Sequence, residues 1–337
     1  MGVLTFFAIV SVSLVISYGL NLWFTRLQKF DLINHRSAHQ TKATKTGGIG
    51  SFLTLFLFSF YYYLKPVDLY DYSLLIPLGI MFIVGVYDDF YNADFKLKFF
   101  LQIIVAKILI DQGFIIDDFH GVLGLNEIPR LASQIFTVFV FLVIVNAINF
   151  IDGIDGLAIT EAIKVIILVE LFSLDFTPIF GLGIITVLSI LPLYYFNFKK
   201  NYKVFLGDAG SLFLGTLIAV YLFYVLGSEY TLKPVFSTNK PLLAMSLIAY
   251  PLVDLLRVFI IRIRNKKSPF SPDQNHLHHL LIKKGYPHFV IVLIILILSL
   301  IFLLLPPTWY SSQFVLACAQ RRMLEHQASH QFWPFHP

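Results

Sequence analysis

Long apolar runs alternate with short polar loops along almost the whole chain. A window of about 19 residues finds ten runs, near residues 3–23, 47–64, 72–87, 98–112, 132–149, 158–174, 178–196, 212–227, 241–261 and 288–306. A helix needs about 20 apolar residues to cross a hydrocarbon core of roughly 30 Å. The pattern therefore predicts an all-α polytopic membrane protein with about ten transmembrane helices. No intervening stretch is long enough for a second globular domain and no fixed-period repeat is evident, so residues 1–306 read as one membrane-embedded domain. The first run passes into Asn21 to Lys29 without a small-residue cleavage pattern, and it reads as a retained first helix.

Charge gives these helices a direction. Arg26, Lys29, Arg36, Lys42, Lys45, Lys96, Lys98, Lys199, Lys200, Lys203, Arg262, Arg264, Lys266, Lys267, Lys283 and Lys284 fall in one set of loops; Lys65, Arg130, Lys233 and Lys240 fall in the other. Cytoplasmic loops carry the excess of Lys and Arg, so the first set is expected inside and the N-terminus outside. The formal charge of +5 is thus a matter of membrane orientation and needs no nucleic-acid partner. Composition agrees: 13% of residues are charged, against roughly 25% in a soluble domain. The single cysteine, Cys318, excludes an intrachain disulfide and leaves the redox compartment open.

Four polar clusters interrupt the apolar pattern, all at run ends on the expected cytoplasmic side: Asp88-Asp89, Asn149 to Asp155 (NFIDGID), Gly207-Asp208 and His276 to His279 (HLHH). Carboxylates and imidazoles beside hydrocarbon are costly unless something compensates them. Asp88 and Asp89 end an apolar run, where the helix dipole disfavours negative charge, so a cation or a proton is needed unless headgroup water solvates the pair. Asn149, Asp152 and Asp155 stand at i, i+3 and i+6, one helical face, with Gly153 and Gly156 loosening the helix; a polar seam between helices is the plainer alternative. Asp208 sits between glycines before an apolar run and serves either as a helix cap or as a ligand. The histidines stand amid lysines, which suits an anionic group such as phosphate; a patch for anionic lipid is the rival. A structural zinc site fits less well, since hard oxygen donors dominate the other clusters. Together the clusters suggest phosphoryl transfer assisted by Mg²⁺. Spacing alone names neither the sugar nor the lipid.

The series HRSAHQTKATKTGGIG, GVYDDF, NAINFIDGIDGLA, VFLGDAGS and SPDQNHLHHLL resembles, in order and spacing, the polyprenyl-phosphate N-acetylhexosamine-1-phosphate transferases, over about residues 1–306. The HLHH element and the HRSAH to TGG loop look closer to the enzymes that start O-antigen, teichoic acid or capsule synthesis than to the phospho-MurNAc-pentapeptide translocases. The resemblance implies a multi-pass protein of the bacterial cytoplasmic membrane with its active site facing the cytoplasm. It implies that a UDP-N-acetylhexosamine, with GlcNAc expected, and undecaprenyl phosphate give undecaprenyl-diphospho-sugar and UMP, with Mg²⁺ or Mn²⁺ as cofactor. The implied partners are these two substrates and the bilayer, with a homodimer as a candidate assembly.

Carried over to this chain, the resemblance makes Asp208 a metal ligand and sets Asp88 at the lipid phosphate with Asp89 beside it. Asn149, Asp152 and Asp155 would line the nucleotide and metal region. Phe205 falls at the uracil-stacking position, a task suited to an aromatic face. His276, His278 and His279 fall in a motif linked to diphosphate or sugar binding; Lys45 stands where the family often has arginine, and Asn197 is a candidate uracil contact. Residues 307–337 depart from the family, whose members commonly have another membrane span after the tenth: here the apolar stretch that follows Pro306-Pro307 is too short to span. Two rival classes stay open. A transporter would keep its acidic groups near the midplane on broken helices, and a scaffold would tolerate their loss.

Overall fold

All ten apolar runs fold as helix in the computed structural model, which describes every residue except 1, 32–41, 66, 200–201, 234–238, 269–274 and 305–337. Arg36, Lys200 and the tail 307–337 lie outside the described residues, as do Ser271 to Gln274 of the last basic loop. The helices are α1 (Val3–Arg26), α2 (Gly47–Leu64), α3 (Leu75–Tyr91), α4 (Phe95–Asp111), α5 (Arg130–Ile151), α6 (Leu157–Phe172), α7 (Phe180–Ile190), α8 (Leu193–Asn197), α9 (Gly207–Leu226), α10 (Lys240–Leu247), α11 (Ala249–Arg264), α12 (Leu277–Lys283) and α13 (His288–Leu304).

By length and composition, six stretches can cross a membrane: α1, α2, Tyr72–Tyr91, α5, Phe180–Asn197 and α9. The pair α10 and α11, bent by 74° at Ile248, makes a seventh if it is one span. The protein is therefore a polytopic helical membrane protein with six or seven clear spans among the described residues. The other three runs fall short for visible reasons. α4 carries Lys96, Lys98, Lys107 and Asp111; α6 has 16 residues and includes Glu161, Lys164 and Glu170; α13 has 17. Pro192 starts a new helical segment between α7 and α8, because proline has no N–H to continue the ladder.

α9 is the axis of the fold, with 94% of its apolar window buried, and it packs chiefly against α3 and α5. Small residues let the backbones approach. A Cβ at Gly215 would stand 3.0 Å from Val145 Cα of α5, and one at Gly85 would fall well inside contact distance of Asp208 O and Ala209. Alanine at Gly85 would force α3 off the start of α9, an overpacking cost of about 1–3 kcal/mol.

A short parallel ladder, not foreseen from the sequence, ties two lysine-bearing loops together: β1 (Ala43–Thr44) pairs with β2 (Lys203–Val204). Phe205 N donates to Thr44 O at 2.8 Å, and Gly47 N and Gly48 N donate to Phe205 O and Leu206 O at 3.0 and 2.8 Å. Lys45 is thereby fixed beside Phe205 and the N-terminus of α9.

Candidate active site

The first turn of α9 presents backbone N–H groups that have no partner within their own helix. Asp89, on the last turn of α3, supplies one from outside: Oδ1 accepts from Asp208 N at 3.0 Å and Oδ2 from Ala209 N at 2.9 Å. Gly207, at φ +73°, makes this possible, since a Cβ there would sit 2.8 Å from Asp89 Oδ2. Asp89 is thus consumed in holding α9, and its side chain is 1% exposed. Its neighbour Asp88 turns elsewhere, accepting from Ala93 N at 2.9 Å and pairing with Lys98 Nζ at 2.6 Å. Lys98 also lies 3.9 Å from Asp208 Oδ2.

Asp208 points back between these groups. Asn149 Nδ2 donates to its Oδ1 at 2.5 Å and to Ser211 Oγ at 2.8 Å, which fixes the carboxylate's direction. Lys45 Nζ lies 3.2 Å from Asp31 Oδ1 and 3.6 Å from Asp89 Oδ1. Burial works to lower the Lys45 ammonium, but Asp89, Asp31 and Asp208 outweigh it, and the lysine keeps its proton above the ordinary lysine value.

α5 ends at Ile151, so the expected single helical face across Asn149, Asp152 and Asp155 does not form; only Asn149 is helical. Gly156 at φ +78° restarts the chain into α6. The three side chains nonetheless meet at one cavity, because the turn folds back over it. Asp152 makes no side-chain hydrogen bond among the described residues. Burial first, then the charges of Asp208, Asp89 and Asp155, push its carboxyl well above the ordinary range. Asp155 is the opposite case. Burial raises it, but hydrogen bonds from His288 and Lys203 outweigh that and hold it below the usual value; both reach Oδ2, at 2.6 and 2.5 Å. Lys203 Nζ in turn lies 5.2 Å from the centre of the Phe205 ring.

A cavity of about 280 Å³ lies at the centre of this arrangement. Lys45, Asp89, Asn149, Asp152, Asp155, Asn197, Phe205, Asp208 and His279 all line it, together with Asp31 and His288. Asn197 Nδ2 donates to Val204 O at 2.7 Å, while its buried Oδ1 has no hydrogen-bond partner among the described residues. Asp88, His276 and His278 lie outside the lining. The two histidines are buried behind it: His276 Nδ1 meets Asp254 Oδ2 at 2.8 Å, Asp254 Oδ1 accepts from Leu277 N at 2.8 Å, and Tyr250 Oη meets His278 Nδ1 at 3.1 Å. These contacts set the entry of α12 and so carry His279 to the cavity. The ligand atoms of Asp254, His276 and His278 lie within 4.8 Å of one another, but hydrogen bonds already engage each residue.

Sequence reasoning missed Asp31, His288 and Asp254, and it used Lys98 and Lys203 only for orientation. Asp254 had a signal, a carboxylate inside the ninth apolar run. His288 had none beyond opening the tenth.

The sequence pattern of glycosyl transferase family 4 matches residues 72–226, from the turn that leads into α3 to the end of α9. An undecaprenyl-phosphate alpha-N-acetylglucosaminyl 1-phosphate transferase of Haemophilus influenzae is 33% identical over 267 residues, covering 76% of this chain and 72% of the relative. Its counterpart in Pasteurella multocida is 32% identical over 276 residues, covering 77% and 73%. A decaprenyl-phosphate N-acetylglucosaminephosphotransferase of Mycobacterium leprae is 28% identical over 295 residues, covering 80% and 74%. At 33% identity to the Haemophilus influenzae enzyme over 76% of its own length, the chain belongs to glycosyl transferase family 4, the superfamily of polyprenyl-phosphate N-acetylhexosamine-1-phosphate transferases.

Proposed function

We propose that this protein transfers GlcNAc-1-phosphate from UDP-GlcNAc to undecaprenyl phosphate, releasing UMP, as the initiating step of a cell-envelope polysaccharide such as O-antigen, teichoic acid or capsule. The observation that carries this reading is one cavity lined by nine of the residues singled out in the sequence, Asp208 among them. Residues 1–306 form the transferase domain, with ten spans once the short α4, α6 and α13 are counted. The lysine-rich loops and the cavity face the cytoplasm of a bacterial inner membrane.

The donor set suits a hard divalent cation. Asp208 and Asp152 both line the cavity and offer carboxylate oxygens, and Asp152 is pushed up by burial first and then by the negative charges of Asp208, Asp89 and Asp155. Asp208 would hold Mg²⁺, which when bound neutralises charge on the leaving phosphate. The chain's own residues do the rest. Phe205 and Asn197 receive uracil, Asn149 fixes Asp208, Asp89 holds the start of α9, and Asp88 with Lys98 positions the lipid phosphate. An oxygen of that phosphate attacks the β-phosphorus of the sugar nucleotide; the bond to the α-phosphate oxygen breaks and its electrons leave with UMP. A phosphate monoester has a second pKa of about 6 and is already largely dianionic at neutral pH, so direct attack needs no covalent enzyme intermediate.

Washed membranes given undecaprenyl phosphate and radiolabelled UDP-GlcNAc should move label into extractable lipid with equal release of UMP, stopping with EDTA and resuming with Mg²⁺. No transfer from any member of a UDP-N-acetylhexosamine panel would overturn the reading. Without the lipid acceptor no UMP should appear; a stoichiometric burst with label on the protein would replace direct attack by a two-step route.

A further inference from the structure

His288 opens α13 outside every motif described above, yet it lines the cavity beside Asp155, Asn197, Phe205 and His279. Its Nδ1 meets Asp155 Oδ2 at 2.6 Å. The approach of Asp155 N to the same nitrogen, at 3.4 Å, is too long to compete, so the carboxylate sets the tautomer and Nδ1 carries a proton. Lys203 Nζ binds the same Oδ2 at 2.5 Å. His288 Nδ1 and Lys203 Nζ thus share one oxygen of Asp155, which holds both donors on the cavity side where an anionic ligand would be met. Nε2 of His288 has no hydrogen-bond partner among the described residues.

We propose that His288 is a substrate-binding residue that, in its imidazolium form, donates from Nε2 to a phosphoryl oxygen of the sugar nucleotide's diphosphate while Nδ1 donates to Asp155. The inference rests on the transferase reading above. The sugar nucleotide is favoured over the lipid phosphate because Asp155's other partner, Lys203, lies over Phe205, and Asn197 lines the same wall, whereas the Asp88–Lys98 pair stands outside the cavity lining.

Two substitutions separate binding from support of the fold. His288→Asn can still donate to Asp155 from the place of Nδ1 but offers nothing at Nε2. His288→Gln keeps a donor near Nε2 and gives up the first contact. In full-length protein with UDP-GlcNAc and undecaprenyl phosphate varied in turn, His288→Asn should raise KM for UDP-GlcNAc about tenfold, as expected for a lost charge-assisted hydrogen bond, and leave KM for the lipid within about twofold. His288→Gln should be milder. A purely structural role would reverse that ranking and lower thermal stability most in His288→Gln. The reversed ranking, an unchanged KM for UDP-GlcNAc, or an effect confined to the lipid each overturns the proposal while the wild type still turns over. If the wild type transfers no sugar phosphate, the transferase reading falls and takes this proposal with it.

Discussion

The two ends of α9 both gather carboxylates, and they differ in what surrounds them. At its C-terminal end a cavity of about 930 Å³ is lined by Asp71, Asp111, Asp117, Asp118, Glu127 and Glu229, most of them exposed to solvent. At its N-terminal end a cavity of about 280 Å³ gathers Asp31, Asp89, Asp152, Asp155 and Asp208, threaded with Lys45, His279 and His288 and backed by Lys203. Exposed acids cost little to keep, because water solvates them. Acids packed against hydrophobic helices persist only where cations, backbone N–H groups or a metal compensate each one. Volume and acid count would choose the wrong end. Compensation chooses the end with Asp208.

Asp208→Asn should break the contrast most severely, lowering transfer by a factor on the order of 10³, the scale seen when one preorganised electrostatic group is removed from a reaction site. Radiolabelled transfer in membranes with matched protein levels measures it. Activity within tenfold of wild type would remove Asp208 from the chemistry. Asp89→Ala acts one step further out. It strips the cap from α9, at a stability cost of about 1–2 kcal/mol, and lets Asp208 drift, so a lower Tm should accompany a partial loss of activity. An activity loss with unchanged Tm would make Asp89 a direct participant.

The third test concerns the histidines behind the cavity. Burial, then the neighbouring His279, His276 and His288, hold the His278 imidazole well below its ordinary value near 6.5. The unfolded chain then binds this proton first as pH falls. The stability His278 contributes is full above about pH 6.5 and drains away below it, toward the folded-state value. Acidifying from pH 7.5 to 5.5 should lower the wild-type Tm more than that of His278→Asn, which can still meet Tyr250 Oη but carries no titrating ring. Parallel curves would contradict the assignment. The smallest effect is expected at the other end of α9, where Asp117→Asn, Glu127→Gln and Glu229→Gln should leave transfer within about twofold and stability within about 0.5 kcal/mol. A large loss there would erase the contrast.

Much of this was legible in the sequence because membrane proteins write their architecture in hydropathy. The ten apolar runs correspond to helices, and the Asp88-Asp89, Asn149 to Asp155 and Asp208 clusters converge because each stands at a run end. What could not be read was the division of labour between neighbours. Asp88 and Asp89 are adjacent and alike, yet one pairs with Lys98 while the other caps α9; only the crossing of α3 and α9 at Gly85 decides it. Periodicity put Asn149, Asp152 and Asp155 on one helical face, but the helix stops at Ile151 and a turn supplies the convergence instead. His276 and His278 share a motif with His279 and yet sit behind it, tied to Asp254 and Tyr250 from a helix bent at Ile248. Such pairings join residues far apart in sequence, and no local pattern announces them.

The claim at the centre of this account is that compensated burial at the N-terminus of α9 makes a divalent-cation site and that the larger acidic cavity does not. Mn²⁺ binding to the full-length protein in detergent, followed by its electron paramagnetic resonance signal, tests this directly. Wild type and the triple variant Asp117→Asn, Glu127→Gln, Glu229→Gln should each bind one tight ion per chain, released by excess Mg²⁺, and Asp208→Asn should bind none. A tight ion that survives in Asp208→Asn and disappears in the triple variant would contradict the account.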